Sequence, residues 1–355
     1  SKEKLLVEKL RNFDFNTRKA FFTRLISSGV SSASLPIIPM PDSTQATASY
    51  AQRRQWFLWQ LEPNNPTYNI PVALLLRGEL DVGALQASFD DLIERHHSLR
   101  TVFHDQYGEL VADILPASPF ALTVEDWTKK LDSNADQDEC VKASVINERR
   151  HPFDLRQGPL LRGKLLHLAA DTYVLILVLH HIVTDDWSMQ IIVKELVELY
   201  RGHLGQQAAL LPPLPIQYAD YAAWQCQWME AGQRQRQLDY WLEALPGEQP
   251  DLNLPVDYPR PMHRSYAGAQ VVIALDAALS AGITQLAQEQ GMSLFTVLLA
   301  LFQALLYRYT GQTDIRVGVP IANRARAQTQ SLVGFFVNTQ VLRADFTALQ
   351  TFDQL

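Results

Sequence analysis

The most constraining feature of this sequence is a junction. Tyr173-Val174-Leu175-Ile176-Leu177-Val178-Leu179 is an uninterrupted β-rich apolar run, the pattern of a strand buried on both faces. His180-His181-Ile182-Val183-Thr184-Asp185-Asp186-Trp187-Ser188 follows at once. Beyond it, Met189, Ile192, Val193, Leu196 and Leu199 recur at helical spacing, with Asp185, Asp186 or Ser188 available as the N-cap. A buried strand therefore delivers two histidines and a carboxylate to the start of a helix. Adjacent strand residues point to opposite faces, so His180 and His181 cannot both look into one pocket while strand geometry holds. Only one of them can be the working imidazole. The same alternation argues against a metal held by both rings, and the sequence offers no other compact His/Cys/carboxylate cluster to complete such a site.

At 355 residues and 47% hydrophobic, the chain can bury a large core, and its length suggests two domains or lobes. A net charge of -7 disfavours a general nucleic-acid binder, because neutralising phosphates needs a basic surface. Cys140 and Cys226 show no CxxC or framework spacing, which points to a reducing, cytoplasmic setting. With no signal peptide and no unbroken apolar segment of membrane-spanning length, a soluble protein is expected. Ser1-Lys2-Glu3-Lys4 opens inside a charged helical pattern, and Phe352-Asp353-Gln354-Leu355 stops without a cap. Both ends read as cut from something longer.

Three segments are expected. Residues 1–43 form a lead-in: apolar positions from Leu5 to Leu25 suggest one or two short helices, and the Ser/Pro-rich stretch from Ser27 to Pro41 has the composition of an exposed linker. Residues 44–211 read as a first lobe. It contains an aromatic-rich helix from Ser49 to Leu61, a strand from Tyr68 to Arg77, a helix from Val82 to His97, and a strand from Leu99 to Phe103. A helix from Ala135 to Arg150 follows, then Gly158 to Leu166 as a turn leading into a strand, which pairs with Tyr173 to His181. His96-His97 closes a helix, where polar or cationic groups suit the carbonyl end, and no aspartate follows at the spacing seen after His181; this pair reads as structural.

Residues 212–355 open at the rigid Pro212-Pro213-Leu214-Pro215 and read as a second lobe. Its expected elements are a long helix from Tyr218 to about Leu245 and a strand from Val271 to Leu275. Helices from Ala278 to Gln290 and Ser293 to Tyr309 come next, then strands from Asp314 to Pro320 and Gly334 to Arg343. Alternating strands and helices give an α/β sandwich with helices covering a sheet.

Several stretches together resemble the condensation domain of nonribosomal peptide synthetases, a branch of the chloramphenicol-acetyltransferase-like acyltransferases. The HHxxxDG motif of that family is matched by His180-His181-Ile182-Val183-Thr184-Asp185, with Asp186 in the glycine place. A SxAQxRxWFLxQLEP motif is matched by Ser49, Ala51, Gln52, Arg54, Trp56, Phe57, Leu58, Gln60, Leu61, Glu62 and Pro63. An RHxxLRTxF motif is matched by Arg95, His96, Leu99, Arg100, Thr101 and Phe103. Further matches are Tyr218 to Gln225, Gly318 to Arg324, and Gly334 to Thr339. The resemblance runs from about Thr44 to the last residue in the family's order, and the family's final motifs are absent.

The resemblance implies two chloramphenicol-acetyltransferase-like lobes forming a V-shaped pseudo-dimer, with the active site in a tunnel between them and the C-terminal lobe incomplete in this chain. It implies peptide-bond formation between a donor thioester on an upstream peptidyl carrier protein and the amine of an acceptor aminoacyl thioester on a downstream one. No cofactor belongs to the domain itself, since both substrates arrive on phosphopantetheine arms. Neighbouring adenylation or epimerisation domains are implied, with a monomeric chain and no nucleic-acid or membrane partner.

By the family pattern His181 faces the tunnel as base or positioner of the amine, and His180 is structural. Asp185 is an anchor, with Arg324 as its best partner and Arg162 or Arg100 as weaker ones. Asp186 departs from the pattern, and glycine there would permit a conformation or an approach that a Cβ discourages. Trp187, Tyr218, Trp224, Asn338 and Thr339 are candidates to border the tunnel, each with core packing as the alternative. Arg53 and Arg54, or Arg149 and Arg150, could meet an acidic carrier. The stretch from Arg54 to Leu61 suggests the subtype that takes a D-configured donor. Two other readings stay open: a non-catalytic condensation-like platform, set against by the intact histidines, and an epimerisation domain of the same superfamily.

Overall fold

The computed structural model describes residues 7–8, 10, 13–30, 35–40, 44–129, 134–205, 209–248, 251–262, 268–348 and 351. Two compact units emerge, the first made of Ser1–Gln237 with Ala322–Val337 and the second of Leu238–Ile321 with Asn338–Leu355. Leu5, Leu6, both chain ends and residues 31–34 of the expected linker lie outside the described residues.

The first unit is built on a four-stranded sheet in the order β2-β7-β6-β5, where β2 is Asn69–Arg77, β5 Leu122–Asp126, β6 Leu161–Ala169 and β7 Thr172–His180. β7 runs antiparallel to both β2 and β6, and only β5 pairs in parallel. The apolar run of β7 explains its central place, because both of its faces are covered. Leu175, Leu177 and Leu179 pack with Leu85, Phe89 and Leu92 of the helix Val82–Arg95 (α3) and with Met189, Ile192 and Leu196 of the helix Asp186–His203 (α5). On the other face Val174, Ile176 and Val178 join Trp56 and Trp59 of the helix Tyr50–Leu61 (α2) and Val141 and Val145 of the helix Asn134–Arg150 (α4). A second sheet, β1-β4-β3, consists of Gln45–Thr47, Glu109–Ile114 and Thr101–Gln106.

The lead-in is part of this unit. The helix Phe15–Ser27 (α1) is N-capped by Asp14, whose side chain accepts from the Thr17 amide. Phe22 of α1 is buried together with Leu35, Ile37 and Ile38 against Tyr218, Tyr221 and Trp224 of the helix Tyr218–Trp228 (α6). The stretch expected as an exposed linker is therefore buried at 35–38, since three β-branched or aliphatic residues there outweigh the Ser/Pro composition around them. The same packing holds α6 in the first unit. The compact units consequently part at Gln237/Leu238 and not at 211/212.

The long helix expected from Tyr218 to Leu245 is interrupted. A π-helical turn, Met229–Gln233, intervenes, with Gly232 at φ 107°, before the helix Arg234–Ala244 (α7) resumes. Glycine tolerates that left-handed backbone without a Cβ penalty, and so turns a continuous pattern into two helices.

In the second unit the helix Ala277–Glu289 (α8) is capped by Asp276, and the helix Leu294–Thr310 (α9) is capped by Ser293 and closed by left-handed Gly311. β8 (Asp314–Ile321) and β9 (Asn338–Asp345) pair antiparallel. Val271, Val272 and Ile273, expected as a strand, are exposed and form none. β9 begins at Asn338 and not at Gly334, because the polar groups of Gly334 to Phe336 are spent on side chains of the first unit. Among the described residues no single helix is long and apolar enough to cross a membrane, although α8 and α9 pass that test jointly as a pair bent by 108°.

Candidate active site

β7 ends at His180, and His181–Val183 forms a 3-10 turn before α5. The direction of His181 is thus set by that turn and not by strand alternation. His180 is 3% exposed and lies near the rings of Phe153 and Tyr68. Its Nδ1 accepts from the Ile182 amide at 3.1 Å, so the proton sits on Nε2. Burial, with the neighbouring His181 adding a smaller push, lowers its pKa to about 3.

His181 has the opposite tautomer. Its Nδ1 lies 2.7 Å from the carbonyl oxygen of Thr184, and a carbonyl can only accept, so Nδ1 carries the proton. Nε2 has no hydrogen-bond partner among the described residues, and in the neutral ring it is the nitrogen that carries the lone pair. The ring is partly exposed and rests on Phe335, with centroids 4.6 Å apart at 53°. Gln52 holds the turn from below, its Nε2 donating to the Ile182 carbonyl at 3.4 Å. Ser49 and Gln52 form a capping box at the start of α2, which ties that helix to the turn.

Asp185 is the N-cap of α5. Its Oδ1 accepts from the Ser188 amide at 2.8 Å and from Arg324 Nη2 at 3.0 Å, and lies 2.7 Å from Ser188 Oγ. Oδ2 accepts from the Phe336 amide at 3.1 Å. Both oxygens are engaged in structural hydrogen bonds and the side chain is 0% exposed.

Arg324 completes the pairing: Nη1 donates to the carbonyls of Thr329 and Leu332 at 2.7 Å each, and Nη2 to Ser188 Oγ at 2.6 Å. Its guanidinium lies 3.9 Å over the Phe336 ring. Burial pulls its pKa down and Asp185 opposes that pull. Arg162 and Arg100 take no part in this pairing. Arg162 donates to the carbonyls of Glu148 and His151, and Arg100 to that of Leu115.

Gly334 is required by close approach. A Cβ there would fall 2.0 Å from Tyr218 Cδ2. Its amide donates to Ser188 Oγ at 3.0 Å. The buried Tyr218 hydroxyl lies 2.8 Å from Ser49 Oγ and donates to the Phe335 carbonyl; burial raises its pKa well above the usual phenol range. Tyr218 therefore couples α2, α6 and the 334–336 segment.

The remaining sequence candidates separate. Trp187 is 43% exposed and its Nε1 donates to the Gln330 carbonyl at 2.9 Å. Trp224 is buried, stacked on Trp228 and covered by the Arg326 guanidinium at 4.3 Å. Asn338 and Thr339 belong to the second unit, at the paired ends of β9 and β8. Asp186 occupies the first turn of α5 with ordinary helical backbone, so the glycine place of the motif needs no left-handed φ here. Glu195 engages the first histidine of the other pair: His96 Nε2 and Arg95 Nε lie 2.7 and 3.0 Å from its Oε2. Ser188, one of the three N-cap candidates in the sequence, is instead the residue whose amide Asp185 caps, and Phe335, which carries no signal of its own beyond lying within a matched motif, is the ring against the imidazole. Among the described residues, His, Cys, Asp and Glu side chains form no cluster of three or more suited to a metal ion.

A family model described as Condensation domain matches residues 42–355. A linear gramicidin synthase of Brevibacillus parabrevis is 44% identical over 349 residues, covering 97% of this chain and 4% of the relative. The chain thus spans a small fraction of the curated relatives it matches. The crystal structure of the X-domain from teicoplanin biosynthesis superposes with a TM-score of 0.80 at 27% identity, over 90% of this chain and 70% of that one. The first condensation domain of the calcium-dependent antibiotic synthetase, in complex with a substrate analogue, superposes with a TM-score of 0.72 at 21% identity, over 88% and 72% of the two chains. The mixed α/β architecture is that of the chloramphenicol-acetyltransferase-like fold. With Ser49, Gln52, Tyr218, Arg324 and the 334–336 segment joined by hydrogen bonds to the strand-to-helix junction at 180–188, this chain belongs to the condensation-domain family of nonribosomal peptide synthetases.

Proposed function

We propose that this chain forms the amide bond between a donor aminoacyl or peptidyl thioester on one carrier protein and the amine of an acceptor aminoacyl thioester on another, both on phosphopantetheine arms. The observation that carries this reading is the locked tautomer of His181. With Nδ1–H held by the Thr184 carbonyl, Nε2 offers a lone pair to an incoming amine.

A thioester is already activated, so most of the acceleration comes from holding the two reactants in line. The amine nitrogen attacks the thioester carbonyl carbon, His181 Nε2 accepts the hydrogen bond or the proton that the amine must lose, and collapse expels the carrier thiolate, which leaves as the thiol once that proton is returned. Asp185 and Arg324 shape the segment that faces the imidazole and touch no substrate. The work is that of one domain within a cytoplasmic multidomain synthetase, beside adenylation or epimerisation neighbours, with no cofactor of its own.

The test is a condensation reaction with defined donor- and acceptor-loaded carrier proteins, followed by mass spectrometry of the acceptor carrier. Wild type should transfer the donor to the acceptor amine. Transfer at the same rate without the domain would reject the proposal, and binding of a partner protein without any transfer would favour the platform reading.

A further inference from the structure

We infer that Phe335 is a positioning residue for His181, an inference that rests on the reading of His181 given above. A single hydrogen bond at Nδ1 leaves an imidazole free to swing about that contact. The Phe335 ring, 2% exposed and 4.6 Å from the imidazole centroid, closes one face of it and removes that freedom.

Phe335 is itself held on three sides. Its carbonyl accepts from Tyr218, the preceding Gly334 is tied through its amide to Ser188, and the following Phe336 amide donates to Asp185 Oδ2. Asp185 thus reaches the working imidazole through the backbone of residues 334–336, which makes the anchoring ion pair part of the aim of His181. Arg54 supports the same ring from outside, its guanidinium carbon 5.9 Å from the Phe335 centroid and its Nη2 donating to the Val337 carbonyl at 3.3 Å.

Two readouts test this. Phe335→Ala and Phe335→Leu are compared with wild type in single-turnover amide formation by the intact synthetase, and by nitrogen-15 NMR of the histidine-labelled full chain, with His181→Ala assigning the His181 signals. Wild type should show the neutral Nδ1–H tautomer at His181. Phe335→Ala should show mixed tautomers and a rate lower by about 10- to 100-fold, with the acceptor KM moved by less than about twofold, as expected for misplacement of a positioned group. Phe335→Leu, which keeps an apolar cover, should recover most of both.

A folded Phe335→Ala chain with the wild-type rate and tautomer overturns the inference, and so does a lost rate with the tautomer unchanged. If Phe335→Ala does not fold, Phe335→Leu is judged by the same two readouts: wild-type tautomer with near-wild-type rate supports the role, and a lost rate with an intact tautomer overturns it. Failure of wild type to form amide would reject the proposed function, while the tautomer would still report on Phe335.

Discussion

Arg324 Nη2 and Asp185 Oδ1 meet at 3.0 Å although 139 positions separate them in the chain, and their side chains are 1% and 0% exposed. Such a pair offsets its own desolvation only when both partners are present. Removing one leaves an uncompensated buried charge, at a cost of about 3–5 kcal/mol. Asp185→Ala should therefore lower the unfolding free energy by about that amount, measured in denaturant, and lose activity in step with folded protein. Asp185→Asn retains a capping oxygen for the Ser188 amide and should fall between the two. A stable, fully folded, inactive Asp185→Ala would instead place the carboxylate in the chemistry.

Gly334 has no room for a side chain. Overpacking a buried site costs about 1–3 kcal/mol and occasionally more, and here the obstructing group is the Tyr218 ring, itself buried. Gly334→Ala should be destabilised by at least that range in thermal or denaturant melts. Combining it with Tyr218→Leu should relieve part of the loss, and strict additivity of the two would contradict the contact.

Much of this site is legible in the sequence. The apolar run of β7 identifies a doubly covered strand because both faces truly are packed, and the motif after it places a capping aspartate at the helix start. The partner of Asp185 comes from the resemblance, since nothing in local spacing links residues 139 positions apart. What stays illegible depends on tertiary contact. Leu35, Ile37 and Ile38 are buried despite a linker-like composition because α6 supplies a surface for them. Val271 to Ile273 have strand propensity but no partner strand among the described residues. The short β1 and β5 carry too few residues for a pattern to register, whereas the alternation of β4 is present in the sequence but unread, and Phe335 resembles any core aromatic until its contact with His181 is seen.

His180 predicts an acid-sensitive stability. Its pKa is about 3 when folded against 6.5 when unfolded. Between those values the unfolded chain binds the proton and the native chain does not, so stability rises with pH across that window. The contribution is complete above pH 6.5 and is lost progressively as pH falls toward 3, with a slope of up to about 1.4 kcal/mol per pH unit. His180→Asn keeps an acceptor for the Ile182 amide and should flatten the pH dependence of unfolding in that range. An unchanged slope would mean that His180 titrates normally.

The lead-in should prove integral to the first unit. Phe22 is fully buried at 0% exposure, and deleting a buried phenylalanine side chain costs about 3–5 kcal/mol. Phe22→Ala should lower the melting temperature and increase binding of a hydrophobic dye. A melt identical to wild type would show that residues 15–38 are dispensable to the fold.

The most direct measurement is single-turnover amide formation by His181→Ala and His180→Asn beside wild type, each normalised to folded protein. His181→Ala should lose nearly all of the wild-type rate while remaining folded, and His180→Asn should retain most of it at neutral pH. The reverse pattern, or full activity in His181→Ala, would contradict the assignment of Nε2 of His181 as the group that meets the amine.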